Sequence, residues 1–502
     1  MDFPRGQTFL GPDFTREESF TCDAVVIGSG AGGAAVAWQL SQAGLSVAIV
    51  EEGKKYEPHQ LSTKQSWALR HIYAERATSL ATGNLYLPLP RGKAVGGSTL
   101  LNSAICFRTP APVLADWQRD FGVDWADAAA LAPVFAEVEQ AIGVAKTQPF
   151  QARAHNLVFK QGVDALGLEG DFISRNAPGC VGCGLCQLGC PVGGKGSVDR
   201  NLVPYALEKG AALFTSTRAT RILVENGVAV GLEAHAVDPL TEVRLRKLTF
   251  KSRLVFLCAG AIGSPMLLLN QGLSLESGQV GKNLHVHTAQ GVAARFEQVV
   301  DAWQGPTQGY YVALKDERAV LETFSATPDI FAIQYDAYSK PMSQLRHLAA
   351  CGCMIADVGV GQVRPGKSEN RSAVTYDMAP KDQAVILKGM REIVRIYFAA
   401  GAIEVHPGFH GATTFRSLAD YDAFVARGLT LDQMSVYASH PMSSCRMSAD
   451  KTRGVVKPSG ESHSVKNLYL ADASVFPTAL GVNPQITVMT TAVMIARQAL
   501  RS

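Results

Sequence analysis

Four cysteines lie within eleven residues of this chain, in a segment rich in glycine. Their spacing is C-x2-C-x2-C-x3-C with a proline directly after the last, and they are Cys180, Cys183, Cys186 and Cys190. Thiolates are soft ligands that bind zinc and iron–sulfur clusters. This spacing with its following proline is typical of iron–sulfur proteins. The cysteine run therefore predicts an iron–sulfur cluster.

The number of ligands leaves several assignments open. The run is ferredoxin-like, but the fourth cysteine of such a run serves the other cluster in two-cluster ferredoxins, and this sequence has no second run. Three local thiolates on a 3Fe–4S cluster, four on a 4Fe–4S cluster, or a distant ligand such as Cys351 or Cys353 would each fit. Zinc, which more usually pairs two C-x2-C knuckles across a longer gap, and a metal-free structural loop are the alternatives.

A glycine-rich turn near the N-terminus predicts dinucleotide binding. Gly28, Gly30 and Gly33 form G-x-G-x-x-G, and Glu51 follows 23 residues after Gly28. The first glycine permits a tight turn, the second lets a pyrophosphate approach the backbone, and the third lets a helix pack on a strand. The helix N-terminus attracts the phosphate charge. The carboxylate of Glu51 would then hold a ribose 2'-hydroxyl.

The elements around this turn have the order that such a site requires. Apolar patterning predicts a strand over Asp23–Ile27, a helix over Ala31–Gln42 and a second strand over Ser46–Val50. Parallel strands joined by a helix indicate a doubly wound α/β sheet. A last helix is predicted from Pro484 to about Leu500, with Asn483 as its N-cap.

The composition is that of a globular protein. The 502 residues are 47% hydrophobic and 18% charged, enough to bury a large core and form two domains, or one domain with a substantial insertion. The 47 basic and 44 acidic residues give a net charge of +3 without basic runs, which does not favour nucleic acid or an anionic membrane as partner. The sequence shows neither a secretory signal pattern nor a transmembrane stretch. We therefore expect a cytoplasmic protein with reduced thiols.

Five further segments resemble the glucose-methanol-choline (GMC) oxidoreductases, a family of FAD enzymes acting on alcohols. They are RGKAVGGSTLLNSAICFR from Arg91, CAGAIGSPMLLLNQG from Cys258, VGKNLHVH from Val280, HPMSSCRM from His440 and LADASVFPTALGVNPQIT from Leu470. The resemblance implies an α/β fold with a discontinuous, Rossmann-like FAD-binding domain and a second, substrate-binding domain built on a sheet. We expect FAD binding in residues 1–294, with inserted helical and cysteine-rich segments. The substrate domain is expected in 295–430, and residues 431–502 return to the FAD-binding domain and the active site.

The resemblance also implies which residues contact FAD. Besides the glycine turn and Glu51, they are Gly96, Gly97, Ser98, Asn102, Asp472 and Ala473. Gly96 and Gly97 suit this role on physical grounds too, because a backbone that passes close to a flavin ring leaves no room for side chains. Some relatives attach FAD covalently through a histidine just before the asparagine that matches Asn102. That residue is Leu101 here, so we expect FAD to bind non-covalently.

His440 and Asn483 are the predicted catalytic residues. By the resemblance, His440 occupies the position of the family's catalytic histidine, and Asn483 that of a second active-site residue in cholesterol-oxidase-like members. Imidazole has an unperturbed pKa of ~6.5, so it can accept a hydroxyl proton near neutral pH. Asn483 would position the substrate oxygen and stabilise charge on it. His285, His287 and His463 are interpreted as structural or surface residues.

These features together predict a dehydrogenase. It would oxidise an alcohol to a carbonyl by hydride transfer to FAD and pass electrons through the cluster to an external acceptor, such as a cytochrome, a quinone or a redox protein. The alternatives are an oxygen-using alcohol oxidase with structural cysteines, a non-redox FAD lyase, and an electron-transfer subunit. Aromatic residues between Phe296 and Tyr338 favour a hydrophobic alcohol over a sugar. They include Trp303, Tyr310, Tyr311, Phe324, Phe331 and Tyr335.

Overall fold

Two large sheets organise the fold. The computed structural model describes residues 3–325, 327–328, 343–367, 371–410 and 414–501. Within these ranges the first sheet has eight strands and the second has seven, and each has its own hydrophobic core. This is the mixed α/β architecture predicted from the sequence.

The first sheet has a parallel centre. Its strands in spatial order are Thr8–Leu10, Ala212–Thr215, Val47–Val50, Glu18–Ile27, Arg244–Leu257, Val228–Val237 and Thr217–Glu225, and Leu468–Leu470 also pairs with Arg244–Leu257. The first five strands and Leu468–Leu470 are parallel, and the other two are antiparallel. Val47–Val50 is buried along its whole length, as expected for a parallel strand covered on both faces. The strand Leu468–Leu470 makes this sheet discontinuous in sequence.

Helices pack around the glycine turn of the first sheet. The helix Ala31–Gln42 contacts Leu202–Glu208 and the last long helix, Gln485–Ala499. The last helix also packs on Ala128–Ala141. Alanine and glycine dominate Ala31–Gln42, so its backbone can lie close to the strands beneath it. This packing places the last helix, near the C-terminus, against Ala31–Gln42, near the N-terminus.

The second sheet is antiparallel throughout. Its strands in spatial order are Glu404–His406, Thr288–Arg295, Leu348–Ile355, Ala319–Phe324, Tyr310–Leu314 and Asp171–Phe172, and Tyr437–Ala438 pairs with Thr288–Arg295. The helices Pro380–Ala399 and Pro149–Ala165 pack on this sheet. Because side chains alternate along a strand, Leu321 joins the core shared with these helices, and Glu322 and Phe324 face the cavity described below.

The remaining elements connect the two sheets. A four-stranded sheet contains Val360–Pro365, Ser372–Asp377, Leu80–Thr82 and Tyr86–Pro88, and a two-stranded one contains Ala145–Lys146 and Ser174–Arg175. The other α-helices within the described ranges are Gln65–His71, Ala111–Phe121, Gly260–Gln271 and Leu418–Val425. Among the residues described, no helix combines the length and the apolar character needed to cross a membrane.

Candidate active site

A cavity of about 1470 Å³ extends from the glycine turn to the second sheet. Small-molecule sites usually occupy roughly 300–1,000 Å³, so this cavity has room for a dinucleotide and a substrate together. The predicted site residues on its wall are Gly28, Gly30, Glu51, Gly97, Ser98, Asn102, His440, Asp472, Ala473 and Asn483. Gly33 and Gly96 are not on the wall, and neither are the four cysteines. The structure thus brings together residues from both ends of the chain.

The glycine turn is shaped by close backbone approaches. Gly28 has a φ of +98°, and a Cβ there would lie 2.5 Å from the carbonyl oxygen of Cys258. A Cβ on Gly33 would lie 1.9 Å from the carbonyl oxygen of Gly28. By contrast, a Cβ on Gly30 would have open space, its nearest neighbour being Cα of Gly97 at 3.9 Å. The first and third glycines therefore maintain the turn, and the second leaves room for a ligand at the helix N-terminus.

Glu51 is buried at the end of its strand and faces the same cavity. One carboxylate oxygen accepts hydrogen bonds from the backbone N–H of Ser29 at 2.9 Å and from its hydroxyl at 2.8 Å. The other oxygen accepts the N–H of Gly53 at 2.8 Å. Burial raises the pKa of Glu51 above its usual range, although these hydrogen bonds oppose the shift. The carboxylate is thus held rigidly where a ribose hydroxyl could donate to it.

A second turn, formed by Gly96 and Gly97, contacts the glycine turn. Gly96 and Gly97 have φ values of +96° and +53°, a region that favours glycine, and the N–H of Gly96 donates to the hydroxyl of Ser29 at 3.2 Å. The side chain of Ser98 accepts from the N–H of Gly92 at 3.0 Å. Asn102 donates to the Gln485 side chain at 2.8 Å. The turn is therefore tied both to the glycine turn and to the last helix.

Asp472 joins two segments of the cavity wall through hydrogen bonds. Its Oδ2 accepts the N–H of Gly260 at 2.8 Å and the hydroxyl of Ser264 at 2.5 Å, and its Oδ1 accepts the N–H of Ser474 at 2.8 Å. Burial raises the pKa of Asp472, and the hydrogen bonds offset part of this shift. Asp472 therefore joins the helix that begins at Gly260 to the turn that presents Ala473 to the cavity.

His440 also lines the cavity and lies against a second histidine. Its Nδ1 is 3.4 Å from Nδ1 of His287, and the two rings meet edge to face. Burial lowers the pKa of His440 to about 3 and that of His287 to about 4. His287, interpreted from the sequence as a structural or surface residue, is a buried cavity residue. The sequence feature that could have identified His287 as a site residue is its place in the segment VGKNLHVH, which carries the family resemblance.

Asp357 supports this histidine pair from the side away from the cavity. Its carboxylate accepts the backbone N–H of His287 at 2.9 Å, the N–H of Val286 at 3.2 Å and the hydroxyl of Tyr376 at 2.9 Å. Burial alone would raise the pKa of Asp357, but its hydrogen bonds and the neighbouring histidines lower it. His287 itself has a φ of +52°, an uncommon conformation for a residue other than glycine. The backbone here is thus held in one arrangement beside the site.

Asn483 does not have the capping role that its position suggested. The last helix is Gln485–Ala499, and its N-cap residue is Pro484. Asn483 is 8% exposed, and its Oδ1 has no hydrogen-bond partner within the described part of the chain. A buried amide oxygen without a partner is costly, so this atom is available to a ligand in the cavity.

Glu322, which the sequence did not identify, lies beside Asn483. It is 5% exposed, and its Oε2 accepts the Gln308 side-chain N–H at 3.0 Å. Its Oε1 has no hydrogen-bond partner among the described residues. Burial raises its pKa to about 7, and Asn483 and Gln308 offset only part of that shift. The sequence feature that could have identified Glu322 is its position as the single charged residue of the apolar strand AVLETF. Unpaired charge is rarely buried without a function.

The wall around Glu322 is largely apolar. It contains Ala289, Phe324, Met354 and Tyr437. Of the other aromatic residues noted in the sequence, Phe296 and Tyr310 belong to the core of the second sheet, and Tyr311 packs edge to face on Phe107. Phe331, Tyr335 and Tyr338 lie outside the described residues. Trp303 is not on the cavity wall either, so Phe324 is the one described member of the cluster that lines the cavity, and Tyr437 joins it from another segment.

The cysteine run surrounds a buried arginine. Nη1 of Arg175 lies 3.7 Å from Sγ of Cys180, and Nη2 lies 3.4 Å from Sγ of Cys186. Burial alone would raise the pKa of the Cys186 thiol, but the positive charges of Arg175 and Lys195 outweigh it and lower the pKa. Lys195 also donates to the carbonyl oxygens of Leu100, Asn102 and Cys186, which ties this loop to the turn on the cavity wall.

These contacts do not support the expected iron–sulfur cluster. Across the described residues, which include Cys180, Cys183, Cys186 and Cys190, no three His, Cys, Asp or Glu side chains are grouped as a metal site requires. The Arg175 guanidinium bonds two of the sulfurs that would have to share the cluster. The described residues therefore give no support for a cluster, and the contacts that they do show are those of Arg175 with Cys180 and Cys186.

Comparison with known proteins agrees with this architecture. Sequence profiles of the GMC oxidoreductase family match residues 23–289 and 360–492. An uncharacterized GMC-type oxidoreductase of Mycobacterium tuberculosis is 34% identical over 95% of this chain and 75% of its own length. A long-chain-alcohol oxidase of Arabidopsis thaliana is 29% identical over 96% of this chain and 67% of its own length.

A solved structure shows the same fold. Formate oxidase of Aspergillus oryzae superimposes with a TM-score of 0.74 at 16% identity, covering 96% of this chain and 98% of that one. The profile matches include most of the first sheet and the segments that carry His440 and Asn483, and three strands of the second sheet, Tyr310–Leu314, Ala319–Phe324 and Leu348–Ile355, lie between the two matches. The chain belongs to the GMC oxidoreductase family and is an FAD-dependent oxidoreductase acting on CH–OH donors.

Proposed function

We propose that this protein oxidises a hydrophobic alcohol to the corresponding carbonyl compound. The observation that carries the proposal is the polar group at the inner end of the cavity. His440, Asn483 and Glu322 line one space, and Asn483 and Glu322 each present a buried oxygen atom without a partner among the described residues. A substrate hydroxyl placed there would satisfy such atoms, and the apolar wall of Phe324 and Met354 would contact its carbon chain.

The dinucleotide end of the cavity fits FAD. The glycine turn would receive the pyrophosphate, Glu51 the ribose, and the turn at Gly97 and Ser98 the flavin. FAD, when bound, supplies the acceptor for the hydride that leaves the alcohol carbon. Leu101 offers no atom for a covalent bond to the cofactor, which supports non-covalent binding. His440 and Asn483 would hold the substrate oxygen, and the surrounding apolar side chains would exclude water.

We further propose dioxygen as the electron acceptor. The contacts of Arg175 with Cys180 and Cys186 do not support the route through an iron–sulfur cluster, and we derive no step through one. Relatives that align over almost all of this chain are named long-chain-alcohol oxidases. A hydrophobic substrate agrees with those names and with the apolar wall around Glu322.

Anaerobic mixing with primary alcohols of increasing chain length tests the proposal. We expect the visible flavin absorbance to bleach, with a rate constant that rises with chain length, and to return with formation of hydrogen peroxide when air is admitted. If no alcohol bleaches the flavin, the proposed reaction is wrong. If bleached flavin is reoxidised only by a quinone or a cytochrome and not by air, the protein is a dehydrogenase instead.

A further inference from the structure

A loop of the first sheet forms part of the cavity wall. It comprises residues 238–243, which join the strands Val228–Val237 and Arg244–Leu257, and we call it the strap. Four of its residues line the cavity, namely Pro239, Leu240, Thr241 and Glu242. The five segments that resemble the GMC family do not include this loop. The strap is thus a part of the cavity wall that the family resemblance did not indicate.

Internal hydrogen bonds hold the strap in one compact turn. Oδ1 of Asp238 accepts the N–H of Leu240 at 3.0 Å, the N–H of Thr241 at 2.7 Å and the Thr241 hydroxyl at 2.8 Å. The carbonyl oxygen of Asp238 accepts the N–H of Glu242 at 2.9 Å, and the N–H of Asp238 donates to the carbonyl oxygen of Val243 at 3.0 Å. Leu240 and Val243 are each 58% exposed, so apolar packing contributes little to holding the strap in place. The strap can therefore move as a unit, and its position depends on the contacts of Glu242.

Glu242 joins the strap to two other segments by ion pairs. Its Oε1 accepts a hydrogen bond from Nζ of Lys93, and its Oε2 accepts one from Nη2 of Arg218 at 2.8 Å. The side chains of Lys93 and Arg218 are only 14% and 11% exposed. Burial alone would raise the pKa of Glu242, but its hydrogen bonds to Lys93 and Arg218 and their charges lower it, so the carboxylate is ionised at neutral pH. Glu242 therefore ties the strap to the segment before the second turn and to the strand Thr217–Glu225.

Arg218 places these ion pairs next to the carboxylate that is expected to hold the ribose. Its Nε donates to Glu52 at 3.1 Å, and the N–H of Thr217 donates to the carbonyl oxygen of Glu51 at 2.9 Å. Arg218 and Glu51 both line the cavity. Nη1 of Arg218 is buried and has no hydrogen-bond partner among the described residues, which is costly for a donor. Adenosine has ribose oxygens and ring nitrogens that can accept, so this end of the cavity fits the adenosine half of FAD.

We propose that the strap closes over the adenosine half of bound FAD, and that the ion pairs of Glu242 with Lys93 and Arg218 determine how fast FAD is released. Lys93 directly precedes Ala94, whose carbonyl oxygen accepts the N–H of Gly97 at 2.8 Å. The ion pairs therefore connect the strap to the turn that packs against the glycine turn. Release of the adenosine half requires the strap to move, and this movement breaks both ion pairs. The strap has this role whatever the substrate is.

The rate of FAD release from the holoenzyme tests this role, measured after large dilution as flavin that separates from the protein on gel filtration. We expect Glu242→Gln to release FAD roughly three- to thirtyfold faster than the wild type, the effect of losing two partly exposed ion pairs. Glu233→Gln is the matched control. Glu233 pairs with two basic residues of the same sheet, Arg221 and Lys247, but lies outside the cavity wall, so its variant should release FAD at the wild-type rate. Equal acceleration in both variants, or none in Glu242→Gln, would overturn the proposal.

Two further measurements separate the loss of these ion pairs from general damage to the fold. Lys93→Met should also speed release, and the double variant with Glu242→Gln should release FAD more slowly than the product of the two single effects predicts, because both changes break the same ion pair. High salt should speed release from the wild type more than from Glu242→Gln, since salt screens ion pairs. The visible spectrum of the bound flavin should stay unchanged in each variant. Single effects that multiply, an equal salt effect in both proteins or an altered flavin spectrum would contradict the proposal.

Discussion

Gly97 lies so close to Gly30 that a Cβ built on Gly97 would be 2.9 Å from Cα of Gly30. This contact joins the glycine turn of the first strand to a segment almost seventy residues later. Real Cβ atoms do not approach other carbons so closely, so neither turn can shift without the other. The two turns therefore form one cradle at the dinucleotide end of the cavity.

We expect Gly97→Ala to prevent FAD from binding in this cradle, because the added Cβ would push the two turns apart. We expect purified protein to retain at most a tenth of the wild-type FAD, measured by absorbance after gel filtration. Gly167→Ala is the matched control, because Gly167 has a similar φ of +64° but no neighbour within 4 Å of a new Cβ. That change should cost only the roughly 1–2 kcal/mol of left-handed backbone strain. Equal FAD loss in both variants would contradict the cradle.

We expect Asn483→Ala to slow flavin reduction without lowering the stability of the last helix. Because Asn483 does not cap the last helix, we expect its removal to leave the urea midpoint of the holoenzyme nearly unchanged while flavin reduction by alcohol slows at least tenfold. Asp127→Ala provides the comparison, since Asp127 does cap its helix through the N–H of Ala130. It should lose roughly 0.5–2 kcal/mol of stability and keep its reduction rate. A large stability loss in Asn483→Ala would assign that residue a structural role.

Glu322→Gln should be more stable than the wild type at high pH. The folded-state pKa of about 7 lies above the ordinary 4.5, so the folded protein holds this proton more tightly than the unfolded chain does. The stability that it contributes is fully present below pH 4.5 and is lost as pH rises through 7. The variant avoids that loss, which amounts to up to about 3 kcal/mol at pH 8.

Urea unfolding of wild type and Glu322→Gln at pH 5 and pH 8 measures this difference. The gain in the variant should be about 3 kcal/mol at pH 8 and less than about 1 kcal/mol at pH 5. A gain that does not depend on pH would show that burial of Glu322 is not the cause.

The cysteine run should contain no cluster. Protein purified without oxygen is expected to show flavin bands alone, with far less than one iron or acid-labile sulfide per chain. Cys183→Ser should keep both the spectrum and the rate of flavin reoxidation by air. Several irons and sulfides per chain, together with a broad visible shoulder, would restore the iron–sulfur interpretation.

Much of the fold could be predicted from local patterns in the sequence. The spacing of Gly28, Gly30 and Gly33 after an apolar strand predicted the turn and the helix Ala31–Gln42, because backbone geometry there depends on near neighbours. The strand Asp23–Ile27 was placed correctly but begins earlier, at Glu18, since its extension pairs with Arg244–Leu257. Pairing with a strand that is distant in the sequence cannot be predicted from a local pattern.

The cysteine run shows where such a pattern is insufficient. Spacing alone indicated a cluster, but spacing does not say what occupies the space between the sulfurs. Arg175 lies close to the run in sequence, yet nothing in its local pattern indicates that its guanidinium turns toward Cys180 and Cys186. The position of that side chain depends on the carbonyl of Ser103, to which its Nε donates.

By itself, the sequence determined the family and predicted the dinucleotide turn and the candidate roles of His440 and Asn483, because each depends on residue types within a short segment. Only the tertiary structure decided that Glu322 lines the same cavity as these residues and that His287 contacts His440. Burial, proton position and pKa are set by neighbours from distant segments, and Glu322 and His440 are more than a hundred residues apart. Their meeting at one end of the cavity follows from the packing of two sheets.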